Sequence, residues 1–523
     1  MKHSNYRTVI ERLGRAIIHI LVIATVFASV AIVFAQTPSN TPEDAKKMIK
    51  QAAKLVRIGA IADAEELMRR AVKVDITSSA KVELAFILSK QRQLAEAYTL
   101  SFSVAETEPK NARAFAVLGT VLLNAGRFVE ARAILFNAIK LNRKEDLAWA
   151  GFGLLDFYEN HIHESLANLQ EADQHKPDQP DYLFALAQVS ARAERYADAA
   201  DAYYRFLRSS KDTDDERRAR IKGLINFLRY LGQKEKLYYS IGSDRTKVKF
   251  ELVGNRPIIE LRVNGREDPL RFVLDTGSGI TVISEQTAKK INIRPITKGG
   301  FAKGIGGNGR FEIVYGFLKQ VDIGDASVRN VPVYIRKFHD DSQNVDGYIG
   351  LSLISKFLTT IDYGDLTFSL TKKDIDEREF RSNPELSLPL RLTSSGFLSG
   401  EVQLEGVDSM LNFIVDTGAS VSVISDRVAS IKAISQYLDD QKLRVIGAAG
   451  ITENVPTFML PRVTFGSHTR TSISAIALDL DIINEASGFE QAGILGGNFL
   501  KNYRLTFDFK NSKVTFTSVT PQN

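Results

Sequence analysis

Two rhythms of apolar residues divide the chain. In the first half, small residues recur at a fixed step: Ala85, Gly119, Gly153 and Ala187 stand 34 positions apart. Ala97, Ala131, Ser165 and Ala199 keep the same step. Such a repeat predicts stacked helix pairs, with small side chains where paired helices approach too closely for large ones. "RIGAIADAEELMRRAV" (Arg57 to Val72) reads as an earlier copy, its register one residue short. The pattern predicts about five repeats over 43–212, then a charged helical cap and linker over 213–247. From about Lys247 the period becomes two: Val, Ile, Thr and Phe alternate with polar residues, and glycines fall every eight to twelve positions. "KVKFELVGNRPIIELRVNG" reads as a β-hairpin and "RFEIVYGFLKQVDIG" as further strand.

A third pattern precedes both. Residues Ala16 to Ala35 are apolar apart from His19, Thr25 and Ser29, and they follow Lys2, Arg7, Arg12 and Arg15. That order predicts an export signal over 1–35, cleaved after Ala35. Twenty residues also suffice to span a bilayer, so an uncleaved anchor is the alternative. Either way the bulk of the chain is expected outside the cytoplasm. The net charge is +6, of which the basic N-terminus supplies +3, so charge gives no case for nucleic acid. With no cysteine, disulfides, thiol nucleophiles and thiolate metal sites are excluded.

The β-rich half is written twice. "FVLDTGSGITVIS" (Phe272 to Ser284) returns as "FIVDTGASVSVIS" (Phe413 to Ser425). Asp275 to Asp416 is a step of 141, and so is Ile305-Gly306 to Ile446-Gly447. "YIGLSLISKF" and "ILGGNFLKNY" follow at a step of 146, as do Asp362 and Asp508. Four features in one order at a nearly constant offset mean a repeated domain.

These motifs carry two resemblances. The 34-residue period, with Leu118-Gly119, Trp149 and Gly153, Pro109 and Pro177, resembles the tetratricopeptide-repeat family, whose arrays dock partners or peptides. Each β unit, over 248–373 and 385–519 with a polar linker at 374–384, resembles a retropepsin-like aspartic peptidase domain, and the tandem resembles the two-lobed pepsins. The family's ordered set is Asp275-Thr276-Gly277, Gly304-Ile305-Gly306-Gly307 and Tyr348-Ile349-Gly350 in lobe one. In lobe two it is Asp416-Thr417-Gly418, "IGAAG" from Ile446, and Ile494-Leu495-Gly496. The expected fold is an all-α repeat solenoid followed by two all-β acid-protease lobes.

The resemblance implies that Asp275 and Asp416 are catalytic, sharing one proton while they activate a water. At about 3 Å and an effective dielectric of about 20, two full charges repel by roughly 5–6 kcal/mol, so double ionisation is opposed. This like-charge pattern is the general one for aspartic peptidases. Gly277 and Gly418 allow close backbone approach to the acids. The resemblance further implies that Thr276 and Thr417 hold the loops together, that Gly304 to Gly307 and Ile446-Gly447 form flaps, and that Gly350 and Gly496 pack behind the loops. Ser278 offers its aspartate a hydroxyl where Ala419 cannot, which predicts an asymmetric dyad.

Other readings are weaker. Gly304, Gly306 and Gly309 satisfy G-x-G-x-x-G, but a strand pattern follows where a dinucleotide site needs a helix, so no cofactor is expected. His161 and His163 are read as exposed turn residues without a nearby carboxylate, and His339 and His468 as surface residues; no metal is expected. The leading expectation is an exported endopeptidase of a bacterial envelope, periplasmic, secreted or anchored, with the array recruiting a protein or peptide. The lobes pair within one chain or with a second copy. The rival is an inert peptide-binding scaffold acting through its repeats.

Overall fold

The computed structural model describes residues 42–520 except 75–77, 212, 235, 308, 340–343 and 374–385. The leader at 1–35 and the linker at 374–384 therefore lie outside the described residues. Among the described residues no helix is long and apolar enough to cross a membrane.

Eleven helices run from α1 (Pro42–Ile58) to α11 (Asp215–Gly232), the first ten forming five antiparallel pairs. The small-residue series does what its period predicts. A β-carbon on Gly119 would lie 2.6 Å from the Leu135 side chain, and one on Gly153 would lie 2.5 Å from Leu169, again 34 residues on. Ser165 keeps its hydroxyl buried by donating to the Gly153 carbonyl at 2.6 Å. The turn inside each pair needs a left-handed residue, and Arg92, Gly126, Asn160 and Glu194 supply it at the same 34-residue step. Gly59 takes that role one position late in the first pair, matching its register offset.

These turns form an edge that seats both lobes. Asn160 donates to the Phe509 carbonyl at 3.3 Å, Lys356 pairs with Glu194, and Arg192 donates to the Thr393 carbonyl at 2.7 Å. Phe489 inserts from lobe two between Phe128 and Tyr158, with ring centroids 4.9 and 5.0 Å away. This edge of the array is thus occupied by the chain's own lobes.

Two similar sheets and one shared sheet build the β half. In lobe one, strand Gly347–Ile349 lies between Leu270–Leu274, its parallel neighbour, and Thr281–Ser284, its antiparallel one. In lobe two, Gly493–Leu495 lies in the same way between Leu411–Val415 and Ser422–Ser425. The third sheet is antiparallel and six-stranded, with Phe357–Asp362 of lobe one beside Tyr503–Asp508 of lobe two at its centre. There Thr360 faces Thr506, their hydroxyls 3.1 Å apart. One continuous sheet thus fixes the lobes of a single chain face to face.

Candidate active site

Each aspartate follows directly on a buried strand. The Asp275 N–H donates to the Ile349 carbonyl and the Asp416 N–H to the Leu495 carbonyl, both at 3.0 Å. Gly350 and Gly496 close each loop from behind: a β-carbon there would lie within 2.6 Å of the Ile280 carbonyl group or 2.5 Å of the Val421 oxygen. The two loops then interlock. Thr276 Oγ1 donates to the Val415 carbonyl and Thr417 Oγ1 to the Leu274 carbonyl, each at 2.6 Å. Each threonine's N–H donates to the other's hydroxyl oxygen at 3.1 Å. All four bonds cross the lobe boundary and are buried, so the two acids are held on a common frame.

Gly277 and Gly418 show why only glycine fits there. A β-carbon on Gly277 would sit 2.3 Å from the Asp416 carboxyl carbon, and one on Gly418 would sit 2.7 Å from that of Asp275. The carboxyls hydrogen-bond each other. They lie at the floor of a cleft, hemmed by protein yet still touched by solvent. Burial, then the charge of Asp416, pushes Asp275 well above the usual carboxylate range. Asp416 is raised by burial, but backbone N–H groups of Gly418, Ala419 and Gly277 and the bond from Asp275 oppose the rise. The Gly418 N–H lies 2.7 Å from Asp416 Oδ1, and the Gly277 N–H 2.9 Å from Asp275 Oδ1. Both shifts oppose double ionisation, so the pair holds one proton between its two carboxyls.

The asymmetry expected from Ser278 has a different origin. Among the described residues its hydroxyl makes no bond to Asp275, and its carbonyl is occupied by the Leu351 N–H at 2.8 Å. The extra donors around Asp416 create the difference instead.

Two hairpins roof the cleft. One joins Thr297–Lys303 to Arg310–Ile323, the other Leu438–Gly447 to Gly450–Phe465. Their tips bond each other: the Gly307 N–H donates to the Ile451 carbonyl at 3.1 Å, and the Ala449 N–H to the Ile305 carbonyl at 2.9 Å. Gly306, at φ +94°, lies so close to the facing flap that a β-carbon would stand 2.1 Å from the Gly450 oxygen. Gly447 meets the opposite tip in the same way, a β-carbon there standing 2.2 Å from the Ile305 oxygen, while Gly304 lies closest to Phe311 of its own hairpin. The "GAAG" tip thus pairs with the "GIGG" tip despite its looser match.

An aspartyl-protease family model matches residues 259–353 and again 401–499. The two lobes are retropepsin-like aspartyl-protease domains. A tetratricopeptide-repeat model matches 151–213. Among solved structures, a thermophilic TPR protein of Thermus thermophilus is 20% identical, covering 35% of this chain and 98% of that one at a TM-score of 0.30. PilF of Pseudomonas aeruginosa is 17% identical, covering 36% of this chain and 87% of that one at a TM-score of 0.27. No curated protein matches the chain.

Two histidine expectations need adjustment. His468 is buried against Tyr503, ring centroids 4.7 Å apart, because its strand faces the shared sheet. His161 does have carboxylates nearby, Asp156 and Glu159, but Arg132 already pairs with both. His163 is exposed and His339 half-buried. Sequence reasoning also missed Arg336, whose charge acts on Asp275 from the end of strand Ala326–Arg336. The 141-residue step that pairs the aspartates sets Arg336 against Ala477; only the strand register, Arg336 beside Ser284 and Leu478 beside Ser425, makes Leu478 its counterpart.

Proposed function

We propose that the chain is an exported aspartic endopeptidase whose two lobes form one peptide-cleaving cleft. The observation that carries this reading is the hydrogen-bonded pair Asp275 and Asp416 beneath two closed flaps. An extended peptide lies between the dyad and the flap tips, which bind its backbone and exclude water. Asp416 takes a proton from a water as its oxygen bonds the scissile carbonyl carbon, while Asp275 donates its proton to the carbonyl oxygen. On collapse Asp416 returns a proton to the amide nitrogen, the C–N bond breaks, and Asp275 recovers its proton from the diol. Thr276, Thr417, Gly277 and Gly418 position the acids and do not react.

The repeat array braces the lobes along its turn edge, and we assign its remaining surface to recruiting the substrate or a protein partner. Export, with the leader cleaved or kept as an anchor, rests on the charge and apolar pattern of residues 1–35.

The test is incubation of the protein with a mixed peptide library from pH 3 to 7. Cuts at internal bonds are expected, strongest where one carboxyl of the dyad is ionised. Measurable peptide affinity with no cut anywhere in that range would overturn the peptidase reading in favour of a binding scaffold.

A further inference from the structure

Strand register allows the two halves of the cleft to be compared residue for residue. Arg336 pairs with Ser284 as Leu478 pairs with Ser425. Tyr348 faces Val273 as Ile494 faces Ile414. Ile258 also faces Val273, as Ser399 faces Ile414, which sets Arg256 opposite Phe397. The reference residues Val273 and Ile414, Ser284 and Ser425, and Ile258 and Ser399 all stand 141 apart, while Arg336 and Leu478 (142 apart) and Tyr348 and Ile494 (146 apart) are matched by register, so the correspondence does not depend on side-chain chemistry.

That chemistry is opposite in the two halves. In lobe two, Phe397, Leu478 and Ile494 join an apolar cluster that seats Ile305, the tip of the other lobe's flap. In lobe one the same three places hold Arg256, Arg336 and Tyr348. Ile446, the counterpart of Ile305, joins no hydrophobic cluster and stays 41% exposed.

Arg336 is a cation without a carboxylate partner among the described residues, and its Nε is buried without a hydrogen bond. Phe311, Phe338 and Tyr348 frame the guanidinium at 5.7, 5.4 and 5.7 Å. The Arg256 guanidinium also acts on the Tyr348 hydroxyl and opposes the rise that burial gives it. Lys337 and His339 add basic groups, and among the described residues Asp275 is the carboxyl whose charge acts on Arg336. A desolvated cation left unpaired is costly, and a bound anion removes that cost.

We propose that the lobe-one half of the cleft is a subsite for an acidic side chain, aspartate or glutamate, of an extended peptide, with Arg336 as its anchor. The lobe-two half takes an aliphatic or aromatic side chain. The proposal deepens the peptide-cleft reading and rests on it, though not on turnover.

Peptides capped at both ends and differing only by Glu, Gln or Leu at one position, scanned along the peptide, test it in two readouts. Cleavage is followed with the intact chain, and binding by fluorescence anisotropy with the Asp416→Asn chain. At one position Glu is expected to exceed Gln by about 100-fold in both. Arg336→Leu, the residue lobe two carries there, is expected to erase the preference at a melting temperature no lower than that of the intact chain, while Arg336→Lys retains part of it. Equal behaviour of Glu, Gln and Leu at every position overturns the proposal, as does a Glu preference that survives Arg336→Leu. An uncapped Leu peptide matching the Glu peptide would move the carboxylate to the chain end and overturn the side-chain assignment. Acid-dependent binding without cleavage supports the subsite and overturns the peptidase reading; cleavage without acid preference does the reverse.

Discussion

The two flaps come from equivalent hairpins and end on equivalent isoleucines, yet they stand in different surroundings. Helix α11 braces the first. Phe227 stacks on Tyr315 at 4.4 Å, Tyr230 meets Phe317 edge-on at 5.6 Å, and Arg220 donates to the Phe301 carbonyl at 3.2 Å. Gly223 lets the helix come so close that a β-carbon would stand 2.3 Å from the Lys298 oxygen. Among the described residues the strand of the second flap, Leu438–Gly447, has no such brace; Leu438 is 59% exposed. A duplicated unit thus keeps its backbone while its neighbours set its stiffness. The expectation is that opening falls to the second flap while the helix after the repeats holds the first.

The largest expected effect breaks the brace. Phe227→Ala removes a buried ring and should cost about 3–5 kcal/mol locally. Hydrogen exchange over 297–303 should accelerate strongly while exchange over 438–447 stays as it was. Equal acceleration in both flaps would remove the distinction. Next comes the contrast of tips. Ile305→Asp places a charge in the apolar pocket of lobe two and should lower kcat/KM about 100-fold, in keeping with about 3 kcal/mol. Ile446→Asp, on an exposed side chain, should lower it less than about 10-fold. Equal losses would mean that the two tips have equivalent seats.

The smallest effect concerns the dyad's influence on stability. A carboxyl raised in the folded state binds protons more tightly there than in the unfolded chain. Stability is therefore fullest below the ordinary carboxylate range and falls as pH rises through the folded value. Asp275→Asn relieves this loss. It should raise the melting temperature slightly at pH 7, with a gain of about 1 kcal/mol, and the gain should vanish below about pH 4. A melting temperature unchanged at both pH values would contradict the raised pKa.

Much of this arrangement was legible in the residues. The 34-residue step fixed where helices touch, since Gly119 and Gly153 leave room for Leu135 and Leu169. The repeated Asp-Thr-Gly frame located both acids because its chemistry needs those residues in that order. Three features were not legible. The seat of Phe489 between Phe128 and Tyr158 depends on where lobe two docks, which no local pattern encodes. The burial of His468 follows from its position against the shared sheet, and an isolated histidine carries no such mark. The inequivalence of Asp275 and Asp416 arises from backbone N–H groups, and every residue but proline has one to offer.

The central claim is that two acids, one per lobe, act as one dyad. The direct measurement is peptide hydrolysis by Asp275→Asn and by Asp416→Asn, each as the full chain and each checked for an unchanged fold by its melting curve. Each substitution alone should lower kcat by about 1,000-fold or more, because neither carboxyl can both accept and donate the proton. Substantial hydrolysis by either variant would contradict the shared dyad.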